Sequence, residues 1–346
     1  MRSSSPFRHL PEGIILPIFI HLIILNKFIF TITFSKLHPI LLAILAGTTL
    51  FFIACNKDND PNDNKSQLNL EITDGPTEDP NVKAVFITVA EAKVDGQTFS
   101  GFSGKKTIDL LAYQQGNVAA LGLGDIDAGT YQNITLVLDA QTDASGTAPG
   151  CYVQTFDNVK HPLSSIATHE ITAAQTFVVG SGAKTNLVLD FDLRKAVQYQ
   201  VGGNSDHYDF VGSADLQTAL RLVIKNETGS LNGTCQNGIV NADKVVAYVY
   251  KKGTFNRAIE IQSNNGVSFK NAVASTALGS TGEFKVAFLK SGDYEIHFAA
   301  YKDLNSDDKL DFLGTLILNS TVDLNDLRLA ASTNLQLNVT VIGILP

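Results

Sequence analysis

The chain reads as an all-β protein: two tandem antiparallel β-sandwich domains behind an N-terminal lipoprotein signal peptide and a flexible tether. Three observations predict this. From Gln67 onward apolar residues recur at every second position, Val, Ile, Thr, Tyr and Phe are abundant, and turn-formers punctuate the runs at short intervals. Helical periodicity is confined to two short stretches, Ser213–Leu220 and Asp323–Ala331.

The amino terminus carries the most specific signal. An apolar run from Pro39 to Ala54 ends at Cys55 and is followed at once by the polar stretch Asn56–Asn64. Phe52, Ile53 and Ala54 before the cysteine resemble the lipobox at which a bacterial lipoprotein signal is cut. Roughly 16 apolar residues fall short of the about 20 that span a bilayer, but suit the core of a signal peptide. The expectation is removal of residues 1–54 and covalent lipid on the Cys55 thiol, with a transmembrane segment as the alternative. The upstream stretch Gly13–Phe34 is more length than such a signal needs, so initiation near Leu25 would also fit. Residues 55–66 form the lipidated tether, since Asn, Asp, Lys and Pro offer no side chain able to build a core. Lys57, Asp58 and Asp60 look like the acidic export signal of some Bacteroidota lipoproteins. The expected location is therefore the outer membrane, lipid-anchored, on its cell-surface or periplasmic face.

The chain has 346 residues and a net charge of −8. The signal segment carries Arg2, Arg8, Lys27 and Lys36 against Glu12, so its removal leaves roughly 290 residues that are more acidic still, enough for two domains. An acidic body argues against nucleic acid as partner, because phosphate recognition needs basic patches. The membrane is reached through the lipid, and a glycan or another envelope protein is the expected further partner. With Cys55 lipidated, Cys151 and Cys235 remain in a compartment where disulfides persist. They are either a bridged pair or two separate thiols. Neither lies in a closely spaced Cys/His cluster that would bind zinc.

The first domain is expected over 67–226. Leu68–Ile72 alternates, and strict alternation over Val82–Val94 places Val82, Ala84, Phe86, Thr88, Ala90, Ala92 and Val94 on one face. Ile134–Leu138 and Asn186–Leu193 repeat the pattern, with turns at Asp74–Pro76, Asp95–Gly96, Ser181–Gly182 and Gly202–Asn204. The polar, Gly-containing stretch Asn226–Gly233 reads as a boundary between strands over Ala219–Lys225 and Val245–Tyr250, making 227–346 the second domain. One phrase recurs across it: Asp127-Ala-Gly-Thr-Tyr131 and Lys290-Ser-Gly-Asp-Tyr294. In each, a tight turn leads to a Tyr that opens a strand, ring packed inward and hydroxyl free to bond nearby backbone.

These phrases carry a family resemblance. Leu68–Pro76, Val82–Val94, Thr107–Leu111 and Leu123–Tyr131, in that order, resemble an uncharacterised β-rich domain of Bacteroidota lipoproteins over about residues 67–195. The resemblance implies an immunoglobulin-like envelope sandwich without assigned chemistry. Gly282–Val286 followed by Gly292–Ile296 is similar, more loosely, to the prealbumin-like modules that accompany carboxypeptidases and transport receptors. Such modules are usually scaffolds or spacers.

Asp303-Leu-Asn-Ser-Asp-Asp-Lys-Leu-Asp311 is the sharpest site candidate. Asp303, Asn305, Asp307 and Asp311 place oxygens at relative positions 1, 3, 5 and 9, with the Lys309 carbonyl at 7, the pattern that wraps calcium. Asp308 stands where the pattern wants Gly, and Gly314 where it wants Glu, so a plain acidic hairpin tip is the alternative. Apart from this structural calcium and the Cys55 lipid, no cofactor is expected. Asp74, Glu78 and Asp79 read as a turn, and Asp190 and Asp192 as the solvated side of a strand. No HExxH, GxSxG or phosphate loop is present, and His161, His169, His207 and His297 stand apart. Ser164 and Ser165 lie near His161 with no nucleophile elbow around them. The expected function is a lipid-anchored envelope protein with a binding or scaffold role and no catalysis; the alternative is an envelope hydrolase with a loop-borne site.

Overall fold

The computed structural model of the chain describes residues 65–75, 79, 81–164, 168–200, 207–262, 268–306 and 310–346. The signal peptide and Cys55 lie outside the described residues. No helix among the described residues is long and apolar enough to cross a membrane.

The fold is all-β. Among the described residues thirteen strands come first: β1 (Ser66–Asp74), β2 (Val82–Val94), β3 (Gln97–Thr98), β4 (Lys106–Asp109), β5 (Ala119–Ile126), β6 (Gly129–Asp139), β7 (Tyr152–Thr155), β8 (Lys160–Pro162), β9 (Thr168–Val179), β10 (Lys184–Phe191), β11 (Val197–Gln200), β12 (His207–Phe210) and β13 (Leu220–Ile224). One sheet has the order β13-β10-β1-β5, a second β8-β7-β2-β6-β9 with β3 and β4 also paired to β2, and β11 and β12 form a two-stranded sheet of their own. Strands β1 and β10 run parallel, and their other neighbours antiparallel. Leu68, Leu70, Ile72, Leu187 and Leu189 from the first sheet and Ile87, Val89, Leu136 and Ile171 from the second share one core, all fully buried.

Strict alternation fails along β2. Its pairing shifts between Val82 and Ala84 against β7, and between Val89 and Glu91 against β6. Each bulge inserts one residue and exchanges the faces. The core side is therefore Val82, then Val85, Ile87 and Val89, then Ala92 and Val94, while Phe86 stacks on Tyr152 outside that core.

Eight strands follow: β14 (Thr228–Gln236), β15 (Lys244–Lys251), β16 (Ala274–Ala277), β17 (Glu283–Lys290), β18 (Gly292–Lys302), β19 (Asp311–Ser320), β20 (Leu327–Leu329) and β21 (Asn334–Leu345). They make one sheet, β16-β15-β18-β19-β21-β14-β17, with β20 paired to β18. The two end strands are consecutive in the chain, so the sheet rolls almost closed around Leu231, Val249, Ile296, Phe298 and Leu337.

Three further expectations change. Asn226–Gly233 is mostly strand: only Lys225–Glu227 is a helical turn, and β14 is flanked on both sides by β21 and β17. Its glycines serve close packing, since a Cβ on Gly233 would lie 1.5 Å from the Leu337 oxygen. Asp323–Ala331 is not helical; Asn325 donates its backbone N–H to Asp323 Oδ1 at 2.9 Å in a turn, and buried Leu327 and Leu329 then alternate along β20. The Cys151–Cys235 bridge is not formed, because the two free thiols are buried in different cores. The helical stretch at Ser213–Leu220 is found as two short turns, Ser213–Leu216 and Gln217–Ala219. Gln217 lies over the outer edge of β9, accepting from Thr172 N at 2.7 Å and donating to Glu170 O at 2.8 Å.

The recurring Tyr phrase is the same corner in both halves. Tyr131 Oη donates to Asp127 O at 2.8 Å, and Tyr294 Oη to Lys290 O at 2.7 Å.

Candidate functional site

Among the described residues, a cluster of polar residues lies where the strands β1–β13 meet the strands β14–β21. Phe288 of β17 has φ 57°, a left-handed conformation that bulky residues avoid. Pairing with β14 shifts register at the same place, between Gly229 and Leu231. The irregularity seats Phe288 against Val188 of β10 and Val223 of β13, with Val118 and Ala287 alongside. Arg221 donates from Nη1 to Phe288 O at 2.9 Å.

A second set of contacts comes from the helical turn Leu193–Ala196. Arg194 is buried; its Nη2 donates to Asp192 Oδ2 at 2.7 Å and its Nη1 to the carbonyls of Ser268 and Phe269 at 3.4 Å. The guanidinium lies 5.2 Å from the Tyr248 ring centre. Lys195 Nζ donates to Ala272 O at 3.0 Å. Asp190 pairs with Arg221 across β10 and β13. Asp190 and Asp192 thus do not form a solvated strand side, because the second group of strands covers them. Burial pushes the Asp192 carboxyl up, but Arg194 and Lys195 outweigh it and hold the group below its ordinary value.

Between these contacts lies a cavity of about 30 Å³, lined by Asp74, Asp190, Asp192, Ser275 and Lys285 among others. It adjoins an open crevice of about 270 Å³ lined by Lys225, Ser230, Lys285, Thr333 and Asn334. Asp74 ends β1 and is 6% exposed; its Oδ1 accepts from Leu193 N at 3.1 Å. Burial first, and then the neighbouring charges of Asp192 and Asp190, raise its carboxyl well above the ordinary range, against the opposing pull of the Leu193 N–H and the Gln114 side chain. Asp79 accepts from Tyr208 Oη, 129 positions along the chain, at 2.6 Å and from Asn81 N at 2.9 Å.

A second constellation has no motif to announce it. Ser164 Oγ lies 2.7 Å from His169 Nε2, and burial lowers the imidazole's proton affinity while the Asp209 carboxylate opposes it. Asp209 accepts from the Phe210 N–H rather than bonding the imidazole, so among the described residues no carboxylate bonds the histidine to orient it as a catalytic base. His161 lies edge-on to Tyr208 and His297 stacks on Phe255, both structural positions.

In the expected calcium loop, Asp307 and Lys309 lie outside the described residues. Asp303 Oδ1 accepts from Asn305 N at 3.2 Å and Ser306 N at 2.7 Å, and Asp311 Oδ2 from Leu304 N at 3.2 Å. These bonds build the turn itself. Among the described residues no group of three or more His, Cys, Asp or Glu is placed to hold a metal ion. The free cysteines are unreactive: burial pushes the Cys151 thiol up to about 12 and Cys235 to about 11.

One outward surface is chemically uniform. On parallel β14 and β21, Ser230 bonds Asn334 at 2.6 Å, Asn232 bonds Gln336 at 2.6 Å and Thr234 bonds Asn338 at 3.1 Å. The result is an uncharged ladder of amides and hydroxyls, buried at Ser230 and exposed at Thr234, Asn334, Gln336 and Asn338.

Residues 65–211 match the model of a domain of unknown function, DUF4382. That span covers β1 to β12, the region where the sequence resembles an uncharacterised β-rich domain. No curated protein matches the chain. Among solved structures it is similar to a leucine-rich repeat protein from Bacteroides thetaiotaomicron VPI-5482, at 13% identity and a TM-score of 0.20, over 80% of this chain and 26% of that one. It is also similar to GBS52, the minor pilin of Streptococcus agalactiae, at 14% identity and a TM-score of 0.19, over 81% of this chain and 97% of that one. The major pilin subunit BcpA of Bacillus cereus gives 10% identity and a TM-score of 0.20, over 80% and 69%.

Proposed function

We propose that the chain is a lipid-anchored cell-envelope protein with a binding or scaffold role and no catalytic activity of its own. The observation that carries the binding role is the ladder on β14 and β21. Its amides and hydroxyls stand at strand spacing without formal charge, which suits the hydroxyls of an envelope glycan better than a charged partner. Contacts between the two groups of strands, at Phe288 and Arg194, support the scaffold role, since they fix that face relative to the amino-terminal strands. A calcium ion in the 303–311 loop would be structural and would order the hairpin tip.

In cells, the full chain is expected to incorporate labelled palmitate and to fractionate with the outer membrane, and Cys55→Ser to lose both. The same chain, solubilised, is expected to be retarded by envelope polysaccharide in affinity gels. Gln336→Glu combined with Asn338→Asp places two charges on the ladder at nearly constant shape and should abolish retardation with little change in melting temperature. Unchanged retardation would remove the ladder from the proposal.

The Ser164–His169 pair favours a second reading, a serine hydrolase. A fluorophosphonate probe distinguishes the two. No labelling is expected; labelling lost in Ser164→Ala would establish the hydrolase instead.

A further inference from the structure

Two atoms at the junction between the strand groups stand out. Asp74 Oδ2, at the end of β1, and Ser275 Oγ, on β16, are buried and have no hydrogen-bond partner in the protein. Both residues line the same cavity of about 30 Å³, and they come from opposite sides of the junction. A Cβ placed on Gly75, the residue after Asp74, would lie 3.6 Å from Ser275 Oγ, 3.7 Å from Asp192 Oδ1 and 3.9 Å from Ser275 O. The cavity is polar and large enough for one or two water molecules, which need such partners.

The charged groups facing Asp74 are already committed. Asp190 on β10 pairs with Arg221 on β13. Asp192 pairs with Arg194 at 2.7 Å and Lys195 at 3.5 Å on the adjoining turn. Lys285 on β17 lines the cavity too, but its ammonium lies beside Gly116, where a Cβ would be 3.1 Å from Nζ. Of the three carboxylates Asp74 is the one without an ion pair, and an ionised carboxylate so buried is costly.

We propose that Asp74 is a proton-operated latch: as a neutral acid it bridges to Ser275 through the cavity and holds the two strand groups together, and on ionisation it releases them. The sign follows from the proton count. In the open junction Asp74 is hydrated and titrates near its ordinary value of 3.8; in the closed junction burial and the neighbouring carboxylates raise it. Between those two values the closed form holds one more proton, so rising pH opens the junction, by about tenfold per pH unit. Below the lower value and above the upper one, pH has no further effect through this group.

Hydrogen exchange of the full chain measures the latch directly. Amides of β16 and β17 are expected to exchange with an opening equilibrium that grows about tenfold per pH unit across the window, after correction for intrinsic rates. Asp74→Asn keeps the acceptor for Leu193 and stays neutral, so its opening should not vary with pH. Carbon-13 detection of the wild-type Asp74 carboxyl guards against a variant that fails to fold, and its midpoint should lie above the usual carboxylate range and coincide with the exchange transition. An ordinary midpoint, or the same pH dependence in wild type and Asp74→Asn, would overturn the latch.

Discussion

Gly233→Ala is expected to dismantle the carboxy-terminal sheet. Strand β14 lies between β21 and β17, and the parallel ladder opposite Gly233 brings the Leu337 oxygen within 1.5 Å of where the new methyl would stand. Neither partner is a flexible side-chain tip, so β14 and β21 must separate or slip. Slippage by one residue would turn Leu231 and Cys235 out of the core and the ladder residues inward. The expected loss exceeds about 4 kcal/mol, the range reserved for named structural failures. Gly96→Ala is the matched control: its φ is 77° but nothing lies within 4 Å of the added methyl, so it should cost only about 1 kcal/mol of backbone strain. Chemical unfolding followed by tyrosine emission reads both, since the chain has nine tyrosines and no tryptophan. Similar losses in the two variants would show that the close approach is not what demands glycine at position 233.

Arg194→Met is expected to cost about 3–5 kcal/mol, because it strands a buried carboxylate while the side chain of similar length keeps much of the packing. Arg194 links Asp192, the carbonyls of Ser268 and Phe269, and the face of Tyr248, so one change strips the junction of several contacts. Adding Asp192→Asn should recover part of the loss, since the uncompensated charge goes with it. The pH response carries the sign. Asp192 titrates below its ordinary value when folded, so its contribution is present above that value and is lost as pH falls through the depressed one. In Arg194→Met this acid-side loss should shrink, because the largest influence holding the carboxyl down is gone. A variant with unaltered melting temperature and acid profile would remove Arg194 from the account of how the junction holds.

Local signals were legible in the sequence and long-range ones were not. The two Tyr corners could be foreseen from a glycine and an aromatic because each closes within five residues. All-β architecture followed from period-two runs. The faces of β2 did not, because its two bulges are dictated by β6 and β7 rather than by the strand's own residues. Strand β14 was not recognised as a strand because its glycines and polar residues describe what neighbouring backbone allows, not what the segment prefers, although the two groups of strands do divide just ahead of it. The junction was illegible for a related reason. Asp190 and Asp192 alternate with apolar residues as solvent-facing residues do, and only the covering strands turn that side into an interior. Ser164 and His169 are five residues apart, yet nothing local announces that the chain folds one onto the other.

Gln217 has a consequence for how copies of the protein behave side by side. The outer edge of β9 is a row of backbone groups to which a strand from another molecule could add. The Gln217 amide supplies one acceptor and one donor to that row, to Thr172 and Glu170, as one residue of an incoming strand would. A neighbour seeking to continue the sheet there meets groups already satisfied and a side chain in its path. At those two positions this edge of the sheet is closed to a strand from another copy.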